Sequence, residues 1–123
     1  NQEEQLKKKG YQAFIYKEKD TSYLMQQYYM VFLKKGKNRT QDSVLADQLQ
    51  EQHLQHLNRM YNQGYSSLAG PFGDDGDIRG IVVYNTATLE EADSLARLDP
   101  MVKAGRLEVE VHPWWALKGG KLN

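Results

Sequence analysis

Runs of apolar residues, and their alternation with polar residues, predict four strands along the chain. The segment 27–33, QYYMVFL, is dense in aromatic and β-branched residues and predicts a strand that is buried on at least one face. Residues 65–72 and 78–85 flank the Asp-Gly turn GDDGD, which predicts a β-hairpin. Residues 105–113, GRLEVEVHP, alternate between apolar and polar positions. Their apolar side chains therefore share one face of the last strand.

The first predicted helix covers residues 44–63, where apolar residues recur with the helical period. Ser43 or Asp42 is placed to cap its first turn, because a side-chain oxygen there accepts a hydrogen bond from a free backbone amide. Gly64 is expected to end this helix.

The second predicted helix runs from residue 89 to about residue 98, and Thr88 and Glu91 have the spacing of a capping box at its start. Pro100 disfavours helical geometry at residue 99 and so ends the helix there. Asp99 followed by Pro100 is itself a common helix start, with the aspartate as cap. A short helical turn that ends near Gly105 is therefore expected.

These elements follow the order strand, helix, strand, strand, helix, strand. This is the ferredoxin-like plan of an α+β domain, an antiparallel sheet with both helices on one face. The open face needs a cover, and we expect a second copy of the chain to provide it, giving a homodimer with a cavity between sheets and helices. Residues 1–22 are assigned to an N-terminal extension with one added strand at 11–16, residues 23–115 to the domain, and residues 116–123 to a tail.

Charge and composition exclude several classes of function. The 16 basic and 16 acidic residues cancel, and no basic stripe stands out, so we expect no nucleic-acid partner. The chain has no cysteine, which excludes disulfides, thiolate nucleophiles and cysteine-based zinc sites. No apolar run approaches the length of a membrane span. The sequence begins with Asn1, which leaves open the cytoplasm or, if an export signal was removed, the periplasm.

Two histidines lie on the first predicted helix, at positions 53 and 56. A helix advances about 100° per residue, which places His53 in the middle of the apolar stripe and His56 at its rim. A buried ring must form hydrogen bonds, and a carboxylate partner would also suit a general base. A neutral core histidine bonded to a backbone carbonyl is the alternative, and periodicity leaves both open.

A metal site is not predicted. His53 and His56 have a spacing that could chelate a metal ion, but no third or fourth ligand is evident. His112 precedes Pro113 at the end of the last strand and is interpreted as structural. No cofactor is expected.

Three stretches in a fixed order carry a resemblance to a known family: EQHLQHL in the first helix, LAGPF after it, and LEEADSLARLDPMVKAGRLEVEVHPW near the end. Across residues 28–114 the sequence resembles the YCII-related (YciI-like) family. The resemblance implies a ferredoxin-like domain that forms a dimeric α/β barrel. It also implies an active-site pair, with His53 as the histidine and Asp99 as the aspartate.

Two functions are consistent with these residues. In the first, the protein is a small-molecule enzyme of lyase or isomerase type, with His53 as general base and Asp99 as the group that orients its ring. Its substrate pocket in the dimer is predicted to include Tyr29, Gly70, Pro71, Phe72 and Arg79. In the second, the protein is a non-catalytic dimeric module that binds a ligand or another protein through the cavity or through the Trp-Trp segment.

Overall fold

A computed structural model describes residues 1–123 and has an α+β fold. The elements are α1 (Gln2–Lys8), β1 (Ala13–Glu18), β2 (Thr21–Lys35), α2 (Ser43–Asn62), β3 (Ser66–Pro71), β4 (Ile78–Tyr84), α3 (Leu89–Ala96), α4 (Pro100–Lys103) and β5 (Leu107–Leu117). From β2 onward, the order agrees with the predicted ferredoxin-like plan, with α4 as the expected short turn. No helix is long and apolar enough to cross a membrane.

The sheet is antiparallel throughout and is built around the long strand β2. One edge of β2 pairs with β5 over residues 25–35. The other edge pairs with β4 over residues 29–34 and with β1 over residues 21–26. Because β3 pairs only with β4, the strand order across the domain is β5-β2-β4-β3, and β1 is an addition beside the first half of β2.

The hydrophobic core lies between one face of the sheet and the helices. Alternate residues of a strand point to the same face, so Tyr29, Val31 and Leu33 of β2 all pack against the helix layer. The buried core residues are Tyr29, Val31, Leu33, Leu49, Met60, Val82, Tyr84, Ala92, Ala96, Met101 and Leu107. Met30 and Phe32 point to the opposite, helix-free face and are only half-buried.

Side-chain caps begin the three helices of the domain, as the sequence indicated. Of the two candidates for α2, Asp42 is the cap, and its carboxylate accepts a hydrogen bond from the Leu45 amide at 2.9 Å. The Thr88 hydroxyl accepts one from the Glu91 amide at the start of α3. Asp99 caps α4, and Pro100 occupies the first turn.

The N-terminal extension contains the predicted strand, displaced to Ala13–Glu18, and also a helix that was not predicted. Helix α1 has no buried residue, so its sequence lacks the apolar period by which a helix is recognised. It is stabilised by the Asn1 cap and by acidic residues in its first turn and basic residues in its last.

The strand β2 begins six residues before the predicted segment 27–33, because β1 pairs with its first half through the tight turn at Lys19 and Asp20. The strand β5 is also longer than expected and continues through the Trp-Trp segment to Leu117. Trp114 pairs with Tyr28 and Trp115 with Gln27. The tail predicted for residues 116–123 therefore begins inside a strand.

Candidate active site

His53 and Asp99 are 46 residues apart in sequence and are in contact in the structure. His53 lies in the middle of α2, and Asp99 is the cap of α4, which packs against α2. The Nδ1 atom of His53 is 2.5 Å from the Oδ2 atom of Asp99. The Oδ1 atom of Asp99 accepts a hydrogen bond from the Met101 amide at 2.9 Å. Both carboxylate oxygens therefore have a partner, although Asp99 is only 1% exposed.

The contact with Asp99 assigns the tautomer of the His53 ring. An ionised carboxylate only accepts hydrogen bonds, so Nδ1 must carry the hydrogen that it donates. In the neutral ring, the Nε2 atom then has a free lone pair and can accept a proton. The His53 side chain remains 12% exposed, so this nitrogen is not sealed inside the core.

A cavity of about 500 Å³ lies beside the His53 ring. It opens between α2 and the β3–β4 part of the sheet, and Met101 of α4 closes one side. Its apolar lining includes Leu33, Leu54, Leu57, Ile81, Met101 and Leu107. Its polar and charged lining consists of Arg39, Asp47, Gln50, His53, Arg79 and Arg106. Apolar and polar side chains therefore share the lining, and convergent polar groups of this kind fix the orientation of a ligand in small-molecule sites.

Three of the five residues predicted for the substrate pocket line this cavity: Gly70, Pro71 and Arg79. Tyr29 does not, because its position on β2 directs it into the core, where its hydroxyl donates to the Ala87 carbonyl at 3.4 Å. Phe72 is exposed and also lies outside the lining.

The two histidines of α2 have the reverse of the burial that periodicity predicted. His56 is 2% exposed, so its placement at the rim of the stripe was wrong. Leu54 and Tyr61, two apolar residues of the same helix, are 49% and 61% exposed and so lie outside the buried stripe. The buried stripe of α2, formed by Leu49, His56 and Met60, is therefore rotated about the helix axis from the predicted position toward His56. As a result, His53 lies at the edge of the stripe and not in its middle, beside the cavity.

His56 is held in the core as a neutral ring. Burial lowers its pKa below the usual value, while the Asp99 carboxylate acts in the opposite direction. Its Nε2 atom is buried and has no hydrogen-bond partner. No group of three or more His, Asp or Glu side chains is placed to hold a metal ion.

Tyr84 is a further neighbour of Asp99 that the sequence did not indicate. It is 1% exposed, and burial, with a smaller effect from the Asp99 carboxylate, raises the pKa of its hydroxyl. Arg39 and Arg106 were also missed as cavity residues. Arg39 belongs to a polar loop without periodicity. Arg106 directly follows the segment Asp99 to Gly105, and this adjacency was the one available signal that it lies near the site.

The fold and the cavity together define a ferredoxin-like domain with a histidine–carboxylate contact at the edge of a small-molecule cavity. The family model for the YCII-related domain matches residues 27–115, and the chain belongs to this family.

One solved structure with a similar fold is 5-chloro-2-hydroxyhydroquinone dehydrochlorinase from Burkholderia phenoliruptrix, in complex with 2,5-dihydroxybenzoquinone. It is 20% identical to this chain, with a TM-score of 0.53, and the match covers 71% of this chain and 92% of the dehydrochlorinase. At this identity the likeness shows the fold alone. No curated protein matches the chain.

Proposed function

We propose that this protein is a small-molecule enzyme of lyase or isomerase type in which His53 is the general base. The observation that carries the proposal is the contact between His53 Nδ1 and Asp99 Oδ2 beside a cavity of about 500 Å³. A base must have a free lone pair, and Nε2 of His53 has one in the neutral ring. The lone pair must also be within reach of the substrate, and the position of the ring in the cavity lining supports this.

In this mechanism His53 Nε2 takes a proton from a carbon of the bound substrate. The electron pair of the broken C–H bond forms a new carbon–carbon double bond. In an elimination, the leaving group on the adjacent carbon departs with the electron pair of its bond. In an isomerisation, the π bond of an adjacent carbonyl opens and its electron pair moves to the oxygen; the imidazolium then returns the proton to another atom. A dehydrochlorinase with the same fold supports the elimination route for this chain, by analogy only.

Asp99 has the role of orienting the ring and stabilising the imidazolium. Its carboxylate is fixed by the Met101 amide and is buried, so the charge lies in a region of low dielectric. No lysine or arginine forms an ion pair with it. The negative charge is therefore available to the imidazolium that forms when His53 accepts a proton.

We also propose that two copies of the chain associate through the helix-free face of the sheet. Met30 and Phe32 are half-buried there, and no helix covers them. Light scattering coupled to size-exclusion chromatography tests this association. A dimer that is lost in Phe32→Glu supports it, and a monomer at all concentrations would contradict it.

The alternative function is a non-catalytic ligand-binding module. It is favoured by a second cavity of about 340 Å³ at the C-terminal part of β5. Tyr28, Leu68, Val83 and Trp114 contribute to its lining. This cavity contains no histidine or carboxylate, so occupation of this site alone, without turnover, would favour the module.

The test is a comparison of His53→Gln with His112→Gln. His112 lies exposed on β5 beside Glu110 and is not part of the cavity lining, which makes it a matched control. Chloride release from chlorinated hydroquinones, and deuterium uptake from D₂O into small keto acids, report elimination and proton abstraction. We expect turnover to be lost in His53→Gln and kept in His112→Gln. Equal turnover in the two variants would contradict the proposal.

A further inference from the structure

Three arginines line the cavity that contains His53, although the chain as a whole has no net charge. Arg39 comes from the loop after β2, Arg79 from β4, and Arg106 from the turn before β5. Asp47 is the one carboxylate in the lining. The cavity therefore has an excess of positive charge that the composition of the chain conceals.

We propose that this cavity binds a small organic anion, of the carboxylate or acidic enol type, and that Arg39 and Arg106 select it. This inference rests on the proposed function, because it names the substrate class of the same site. It adds two specificity-determining residues to the His53 and Asp99 pair.

The partners of Arg39 and Arg106 hold these side chains in place without neutralising them. Arg39 Nη1 donates to the Arg106 carbonyl at 2.5 Å, and Arg106 Nη1 donates to Gln41 Oε1 at 3.0 Å. Neither guanidinium forms an ion pair with a carboxylate, and each has further N–H donors that are not used. The fork of donors in a guanidinium matches a carboxylate in geometry and charge.

Arg79 adds a third positive charge that is only weakly compensated. Its Nη1 atom donates to the carbonyls of Asp74 and Gly76, at 3.2 and 3.0 Å. Its ion pair with Asp75 is 3.7 Å long, and the Asp75 side chain is fully exposed, so solvent screens that pair.

The three charges also lie close enough to affect one another. Partial desolvation lowers the pKa of the Arg39 guanidinium, although this residue is exposed, and repulsion from Arg106 and Arg79 lowers it further. An anion in the cavity relieves this repulsion, whereas a neutral ligand of the same shape does not. The position of three guanidinium groups around one cavity therefore favours an anionic ligand.

An anion-binding group beside the base also fits the chemistry. When His53 removes a proton from carbon, negative charge develops on a neighbouring oxygen of the substrate. Fixed guanidinium groups near that oxygen stabilise the charge in the transition state as well as in the bound state. The apolar side chains of Leu57, Ile81 and Met101 are placed to contact the carbon skeleton.

The experiment uses benzoate and benzamide as a matched pair of probes that differ in charge and have nearly the same shape. Binding to the full chain is measured by NMR titration in low-salt buffer. We expect benzoate to bind about tenfold more tightly than benzamide, and Arg39→Gln or Arg106→Gln to weaken benzoate alone by roughly threefold to tenfold. Arg97→Gln is the control, because it removes the same charge from an exposed pair outside the cavity.

Two outcomes overturn the inference: equal affinity for the two probes, or benzoate binding that is unchanged in the Arg39→Gln, Arg106→Gln double variant. If that variant does not fold, the inference is tested on the wild-type protein by measuring how the affinity for each probe depends on salt concentration. Benzoate affinity should fall as ionic strength rises while benzamide affinity stays constant, and no salt dependence contradicts the proposal.

The turnover of His53→Gln, measured beside the benzoate titrations of the arginine variants, separates this inference from the proposed function. If His53→Gln keeps turnover while the arginine variants lose benzoate, the base assignment fails and the anion site stands. If His53→Gln loses turnover while the arginine variants bind benzoate like the wild type, the anion site fails and the base assignment stands.

Discussion

His53 Nδ1 lies 2.5 Å from the Asp99 carboxylate, whereas His56, one turn further along α2, is fully buried with an unpartnered Nε2 atom. Two identical side chains on one helix therefore have different chemical capacities. His53 is oriented by a charged acceptor and reaches a cavity, which suits proton transfer. His56 is kept neutral inside the core by burial.

Replacing Asp99 with asparagine tests the role of the carboxylate without removing the cap of α4. The asparagine oxygen can still accept from the Met101 amide, but its amide group donates toward His53 Nδ1. The ring then changes tautomer, and Nε2 carries the hydrogen and no longer accepts a proton. We expect kcat to fall about 100-fold or more with a small change in KM. Unchanged kcat in a folded Asp99→Asn protein would assign Asp99 to helix capping alone.

His56 is expected to make stability depend on pH in the acid range. Because burial lowers its pKa in the folded state, the unfolded chain binds a proton first as the pH falls. The free energy of unfolding therefore keeps its full value above the ordinary histidine pKa of 6.5 and decreases as the pH falls below it. Asp99 and a hydrogen bond with the Leu95 backbone favour the charged form of this ring, whereas Arg59 and His53 oppose it.

The measurement is urea unfolding between pH 5 and 8, about the range in which histidine titrates. In His56→Leu the part of the pH dependence that belongs to this ring should disappear, while in His112→Gln it should remain. An identical pH profile in His56→Leu and the wild type would show that the ring is protonated equally in both states.

Tyr84 should have the corresponding effect in the alkaline range. Its hydroxyl has a raised pKa in the folded state, mainly because it is buried. As the pH rises through the ordinary tyrosine value of 10.0, the unfolded chain ionises first and the free energy of unfolding falls. Tyr84→Phe should lose less stability above that pH than the wild type, as measured by thermal unfolding. Parallel curves for the two proteins would contradict this expectation.

Gly36 is expected to tolerate no side chain. A Cβ atom at this position would overlap the backbone carbonyl of Gly105, in the turn before Arg106. This backbone cannot move aside as a flexible side chain could. Gly36→Ala should lower the free energy of unfolding by about 1–3 kcal/mol. Gly73→Ala is the control, because no atom lies within 4 Å of its added Cβ. Equal stability of the two variants in chemical denaturation would be inconsistent with the packing described.

The fold of the domain could be predicted from the sequence because each element carries a local signal. The caps Asp42, Thr88 and Asp99 and the alternation in the last strand depend on neighbouring residues. Helix α1 and the Trp-Trp end of β5 could not be predicted in the same way. The first buries no side chain, and the second is a strand only because β2 extends beside it.

Only part of the candidate site could be predicted, because several of its residues carry no local signal in the sequence. The contact between His53 and Asp99 was implied by the family resemblance and not by periodicity, which placed the centre of the α2 stripe incorrectly. Arg39 and Arg106 enter the cavity from loops, where no period reveals the direction of a side chain. Tyr29 was predicted to line the pocket, but side chains alternate between the two faces of β2 and the Tyr29 side chain points into the core.

The most direct test of the base assignment is the tautomer of the His53 ring, read from nitrogen-15 shifts of the imidazole at neutral pH. We predict that Nδ1 carries the hydrogen, that Nε2 is unprotonated, and that Asp99→Asn reverses this pattern. A ring with the hydrogen on Nε2 in the wild-type protein would contradict the account, because the unprotonated nitrogen would then be Nδ1, which contacts Asp99 and cannot take a proton from a substrate.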